Sequence, residues 1–137
     1  MKRVFALFLA SFCAIAASAG DLNEHKITID QARTLVMASL TSQEQRLPKV
    51  EAEPYDAPPS SRFMFFTVTW EGTSNGSVVV GNYAVDPYTG DVFSATASCY
   101  EESNKRLAAL QAQLRAKLHL SQSEYRRLKT KGPLCNE

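Results

Sequence analysis

Apolar residues recur at Ala32, Leu35, Val36 and Leu40, the spacing of one face of an α-helix. Thr28 precedes them, with Gln31 three residues on, a reciprocal capping pattern that predicts a helix over 29–41. From Arg62 to Glu71 the composition turns aromatic and β-branched and the period falls to two. Met64, Phe66, Val68 and Trp70 share one strand face, which should pack on a helix. Phe63, Phe65, Thr67 and Thr69 share the other, and its two aromatics mark it as partly covered or as a contact surface. Two further strands follow, Val78 to Val85 and Asp91 to Ala97. The turns between them are Gly72-Thr73-Ser74-Asn75-Gly76, with its Asn-Gly hairpin signal, and Asp86-Pro87-Tyr88-Thr89-Gly90.

Glu101 to Leu118 is the clearest helix, striped by Leu107, Leu110, Leu114 and Leu118, with Glu101 and Glu102 at the end that favours negative charge. Ser121 or Ser123 caps a last helix, about 122–131, which Gly132-Pro133 stops. Between the first helix and the first strand, residues 42–62 hold Pro48, Pro54, Pro58 and Pro59. So long an irregular stretch is either a functional loop or a passive connector, and 49–54 has the alternative of forming an edge strand. The pattern as a whole predicts an α+β fold. An antiparallel meander of three to four strands packs on an N-terminal helix and a long C-terminal helix, and a short final helix follows.

Composition adds the compartment. The chain has 137 residues, 45% hydrophobic and 21% charged, enough for one domain and too polar for a multi-span membrane protein. Met1-Lys2-Arg3, an uncharged run from Val4 to Ala17 and Ala17-Ser18-Ala19 read as a cleaved secretory signal peptide over 1–19. Phe12 before Cys13 is the wrong residue for a lipoprotein site, so no stable membrane anchor is expected. The expected product is a single domain over 20–137, exported to the periplasm. Cys99 and Cys135 are its two cysteines, and an even count in an exported chain predicts a disulfide.

Charge divides along the chain. Residues 20–104 carry five Lys/Arg against twelve Asp/Glu, and residues 105–137 carry eight against two. Either the basic helices lie against acidic loops of the same domain, or they offer a surface to an acidic partner or an anionic envelope polymer. Nucleic acid is not an expected partner after export.

Candidate chemistry is sparse. His25 and His119 have no context suited to a triad or a metal site. Glu51, Glu53 and Asp56 in the Pro-rich stretch are the one acidic group that a small hydrolase could use, and no nucleotide-binding Gly-rich motif occurs. No catalytic residue, metal or cofactor is assigned, and the chain is not expected to be an enzyme. Candidate partner contacts are Tyr55 and Asp56 in the Pro-rich stretch, Tyr88 at the second turn, and Arg126 and Arg127 in a basic run that continues to Lys129 and Lys131.

Two phrases carry a resemblance: ITIDQARTLVMASL from Ile27 to Leu40, and Tyr83-Ala84-Val85-Asp86-Pro87-Tyr88-Thr89-Gly90-Asp91-Val92-Phe93. Together they resemble PepSY-like envelope proteins, with a helix opened by a Thr-x-x-x-Ala phrase and a Y-x-V-D-x-x-T-G-x-V hairpin. The chain is also similar to small exported immunity proteins that neutralise toxic cell-wall hydrolases. The likeness spans about half of residues 20–137, and the two extra C-terminal helices and the expected bridge depart from a plain PepSY module. It implies a periplasmic inhibitor or immunity protein whose partner is a secreted hydrolase or toxin. The alternative is an accessory envelope module that binds peptidoglycan or another anionic polymer through its basic helices.

Overall fold

The computed structural model describes residues 26–72, 78–96 and 100–133. The expected signal peptide, Cys13, His25, the Asn75-Gly76 turn, Cys99 and Cys135 lie outside the described residues. Four antiparallel strands form one sheet in chain order: β1 (Glu51–Tyr55), β2 (Met64–Thr69), β3 (Val79–Val85) and β4 (Val92–Ser94). Helix α1 (Ile29–Ser39) precedes them, and α2 (Lys105–Lys117) and α3 (Gln122–Leu128) follow. This is the expected α+β architecture with the meander extended to four strands.

Helix α1 begins where the capping pattern places it. The Gln31 amide donates to Thr28 Oγ1 at 3.2 Å, and the Thr28 amide donates to Gln31 Oε1 at 2.8 Å. Its buried Ala32, Leu35, Val36 and Ala38 lie against one face of the sheet, where the helix touches all four strands. Phe66 and Val68 answer from β2 and Val85 and Val92 from β3 and β4, all without solvent exposure. Each such side chain contributes about 1.5–3 kcal/mol by leaving water. From α2, Leu107 and Leu114 enter the same core and Leu110 and Leu118 pack against it, as the leucine stripe requires.

Several boundaries differ from the sequence reading: β2 and β4 are shorter than the 62–71 and 91–97 expected, and three further differences bear on the site. The stretch 42–62 is not one loop: Glu44–Arg46 form a 3₁₀ turn, and Glu51–Tyr55 become the edge strand β1. Glu51 and Glu53 are therefore exposed strand residues rather than members of a flexible acidic loop. Helix α2 starts at Lys105 because Asn104 caps it, accepting from the Leu107 amide at 2.9 Å. Glu101 and Glu102 are left outside the helix, where they run along β4. The Glu102 amide donates to the Val92 carbonyl at 2.8 Å, and the Ser94 amide to the Tyr100 carbonyl at 3.0 Å. Helix α3 ends at Leu128 rather than near 131, and its cap is Ser121, paired reciprocally with Glu124.

Cross-bracing joins the helices. Helix α1 ends at Leu40 without glycine, so its last carbonyls need outside donors. Asn104 Nδ2 reaches the Ala38 and Ser39 carbonyls at 3.0 and 3.1 Å, and Arg106 Nη2 reaches those of Ala38 and Leu40 at 2.8 Å each. Arg33 Nε donates to the Ala52 carbonyl at 3.1 Å and ties α1 to the edge strand.

Candidate functional site

The second face of the sheet carries a cross-strand row. Tyr55 pairs with Phe65, Phe65 with Ala84, and Ala84 with Phe93. The Tyr55 and Phe65 rings lie 5.6 Å apart, and Phe63 meets Phe93 edge-on at 5.8 Å. Alternation puts these residues opposite the helix-covered face, so something else must cover them. The chain after α3 does so at Phe93. A Cβ on Gly132 would lie 2.7 Å from a carbon of the Phe93 ring, and Gly132 has φ +99°. Only glycine suits both the close approach and that backbone conformation.

Beside this contact an open groove of about 960 Å³ separates the Pro58–Phe63 segment from the chain around α3 and its exit, Arg126 to Pro133. Phe63 and Phe65 line it. Arg62, Arg126, Lys129 and Lys131 line it too, and among the described residues no carboxylate does.

The two walls are fastened through the β3–β4 turn, which folds inward rather than standing out. Asp86, Pro87, Thr89 and Asp91 are buried. Asp86 Oδ1 accepts from the Tyr88 amide at 3.0 Å, the Gly90 amide closes onto the Asp86 carbonyl at 2.9 Å, and Gly90 takes φ +71°. Two carboxylates thereby leave water, and each takes a guanidinium partner. Arg62 pairs with Asp86 and also donates from Nη2 to the Leu128 carbonyl at 2.9 Å. Arg115 donates to Asp91 at 2.7 Å and to the Thr89 carbonyl at 2.8 Å, with its guanidinium 4.0 Å from the Tyr125 ring centre. Tyr125 Oη adds a bond to Asp91 at 3.1 Å, and Thr130 Oγ1 one to Asp86 at 3.3 Å. Lys129 reaches Glu101 at 2.8 Å and Tyr125 Oη at 3.0 Å. Helix α3 buries no residue, so this polar network is what seats it.

Ionisation follows from these surroundings. Burial pulls the Lys129 ammonium down, but hydrogen bonds to Glu101 and Tyr125 and the charges of Asp91 and Glu101 outweigh it and hold its pKa above the usual value. Across the core, burial and the charges of Glu44 and Glu102 push the Tyr83 hydroxyl up to about 12. Burial, then the charge of Glu44, raises the Glu102 carboxyl. Burial alone raises Tyr55. Among the described residues no three His, Cys, Asp or Glu side chains gather as a metal site, and no helix is long and apolar enough to cross a membrane.

The expected contact residues separate. Arg126 lines the groove, and Tyr55 stacks beside its Phe65 floor. Asp56 is exposed just beyond β1. Arg127 is exposed but does not line the groove. Tyr88 is not the exposed tip expected of a turn: it is half-buried beneath Arg62, whose guanidinium lies 5.3 Å from its ring centre, because the turn is drawn in by its paired aspartates. The basic run is divided as well. Lys129, although exposed, is tied to Asp91 and Glu101 of the same chain, whereas Arg126 and Lys131 have no ion-pair partner among the described residues. Arg62 was not among the expected contacts, since nothing local marks a lone arginine before a strand as the link between two distant segments.

The fold and groove together define a small α+β domain with a basic groove beside its last helix. No family model matches the chain, and no curated protein matches it. Among solved structures, it is similar to a chain from a type VI secretion system effector–immunity complex of Pseudomonas protegens. The identity is 22%, the match covers 77% of this chain and 88% of that one, and the TM-score is 0.58. The likeness is one of fold.

Proposed function

We propose that the protein is an immunity protein, a non-catalytic inhibitor that binds a secreted, cell-envelope-degrading enzyme and blocks it by occlusion. The observation that carries this reading is the groove: an aromatic floor between two polar-braced walls, lined among the described residues by cations and no carboxylate. The fold it shares with a chain of an effector–immunity complex supports the same reading. On this proposal residues 1–19 direct export, residues 20–137 act in the periplasm as one domain, and Cys99 bridges Cys135. The PepSY-like phrases then mark a scaffold reused for inhibition.

The test is inhibition at equal stoichiometry. The chain from residue 20 onward should capture one envelope hydrolase from a periplasmic extract, and adding it to that purified enzyme should abolish activity at a one-to-one ratio. Capture of no protein, or of one whose activity is untouched, overturns the reading. Arg126 and Lys131, unpaired among the described residues, with exposed Arg127, favour one competitor, an accessory module for an anionic wall polymer. That module would pellet with purified sacculi and be released steeply by salt.

A further inference from the structure

We infer that the groove beside α3 takes an acidic segment of a protein partner, with an apolar side chain laid on Phe63 and Phe65 and flanking carboxylates held by Arg126 and Lys131. The inference rests on the reading that the partner is a protein, and names the chemistry of the segment that enters.

Charge complementarity argues for it first. Among the described residues four cations line the groove and no carboxylate does. Arg62 and Lys129 are committed to Asp86 and Glu101, and Arg126 and Lys131, which have no ion-pair partner among the described residues, are placed to meet an incoming anion. Their placement on one wall puts positive charge along the rim rather than at one point. The floor argues next. Phe65 is largely covered by its neighbours and Phe63 is only half-buried, so the floor offers a small apolar area that a peptide side chain can cover while its carboxylates meet the rim. Size agrees, since about 960 Å³ lies at the upper end of the roughly 300–1,000 Å³ usual for ligand clefts. The walls also keep their shape without an occupant, because Arg62 bonds both the β3–β4 turn and the end of α3. Binding to a preformed cleft avoids much of the ordering cost of docking.

The probe is a fluorescein-labelled peptide, Glu-Asp-Trp-Glu-Leu-Asp, titrated onto the chain from residue 20 onward by polarisation. It is compared with its Gln/Asn counterpart and with an acidic version carrying Ser for Trp and Leu. The acidic aromatic peptide should bind about tenfold more tightly than either relative. The double variant Arg126→Glu, Lys131→Glu should erase that preference. Arg127→Glu, the same change one residue along but off the groove, should keep it within about twofold. Both substituted positions of the double variant are exposed and outside the bracing network, so thermal melting should match the parent.

Equal binding of the Ser peptide would show a general polyanion surface and overturn the inference. So would an equal loss in Arg127→Glu, or a concentration-dependent dimer abolished by the double variant, which would make a second copy the occupant. If the captured hydrolase is still inhibited by the double variant, the groove inference falls and the inhibitor reading stands. If no hydrolase is captured while the peptide preference holds, the inhibitor reading falls and the groove keeps its ligand class.

Discussion

Asp91 is a carboxylate that folding takes almost wholly out of water, and its neighbours show how that is tolerated. It accepts from Arg115, Thr89 and Tyr125, and Lys129 stands 3.9 Å away. Such a pair is weak ground for claiming net stability, but removing one partner strands the other charge. Arg115→Met should therefore lower stability by about 3 kcal/mol in urea unfolding, towards the lower end for a buried pair because Lys129 remains. Glu102 presents the opposite case. Burial and Glu44 raise its carboxyl above the ordinary value of 4.5, so the folded chain binds this proton more readily than the unfolded one. Stability from this group is greatest in acid and is lost as pH rises through the raised value. Glu102→Gln should thus raise the melting temperature at neutral pH, and the gain should vanish near pH 3, where wild-type Glu102 is already protonated. A gain that persists undiminished in acid would remove the charge explanation.

At the level of elements, Asn104 does two jobs with one side chain. Its Oδ1 caps α2, and its Nδ2 caps the carbonyl end of α1. Asn104→Ala should cost more than Asn104→Asp, which keeps the acceptor and loses only the donors. The cap by itself accounts for about 1 kcal/mol, and chemical denaturation of the two variants separates the contributions. The strands and helices were legible in the sequence because period and caps are local properties: Thr28 with Gln31, the leucine stripe and the aromatic alternation of β2 all fall where they were expected. Strand β1 was legible only as an alternative, because Pro54 argues against a strand interior and only an edge position accommodates it. The start of α2 was misplaced because Glu101 and Glu102 suit a helix N-terminus, yet β4 had unpaired backbone groups that they satisfy. That demand comes from another part of the chain, and no local pattern announces it.

Across the whole molecule, the division of charge along the chain folds partly back on itself. Arg115 and Lys129 from the basic half neutralise Asp91 and Glu101 from the acidic half, while Arg126 and Lys131 stay unmatched among the described residues. The sequence displayed both possibilities, self-pairing and a surface for something acidic, and the structure distributes the residues between them. The groove itself was only half legible. Two aromatics, Phe63 just before β2 and Phe65 on its outer face, and the run at 126–131 were visible, but only the fold brings them together. The Arg62 bridge is invisible until the β3–β4 turn is seen to bury its aspartates. At this scale the proposed Cys99–Cys135 link closes a loop of about 37 residues, for which chain entropy predicts about 4 kcal/mol. Cys99→Ser should accordingly lower the melting temperature under oxidising conditions and leave it unchanged in reductant. Equal melting in both would exclude the link.

Both borders of the sheet discourage an added strand. On one side β1 is short, carries Pro54 and the exposed Glu51 and Glu53, and has its Ala52 carbonyl taken by Arg33. On the other, residues 100–102 run along β4. An added strand, a mode of binding indifferent to most side chains, is disfavoured at either border. If the proposed binding role holds, a partner has to read side-chain identity, and exchanging a few residues beside α3 would redirect it while the framework stays as it is.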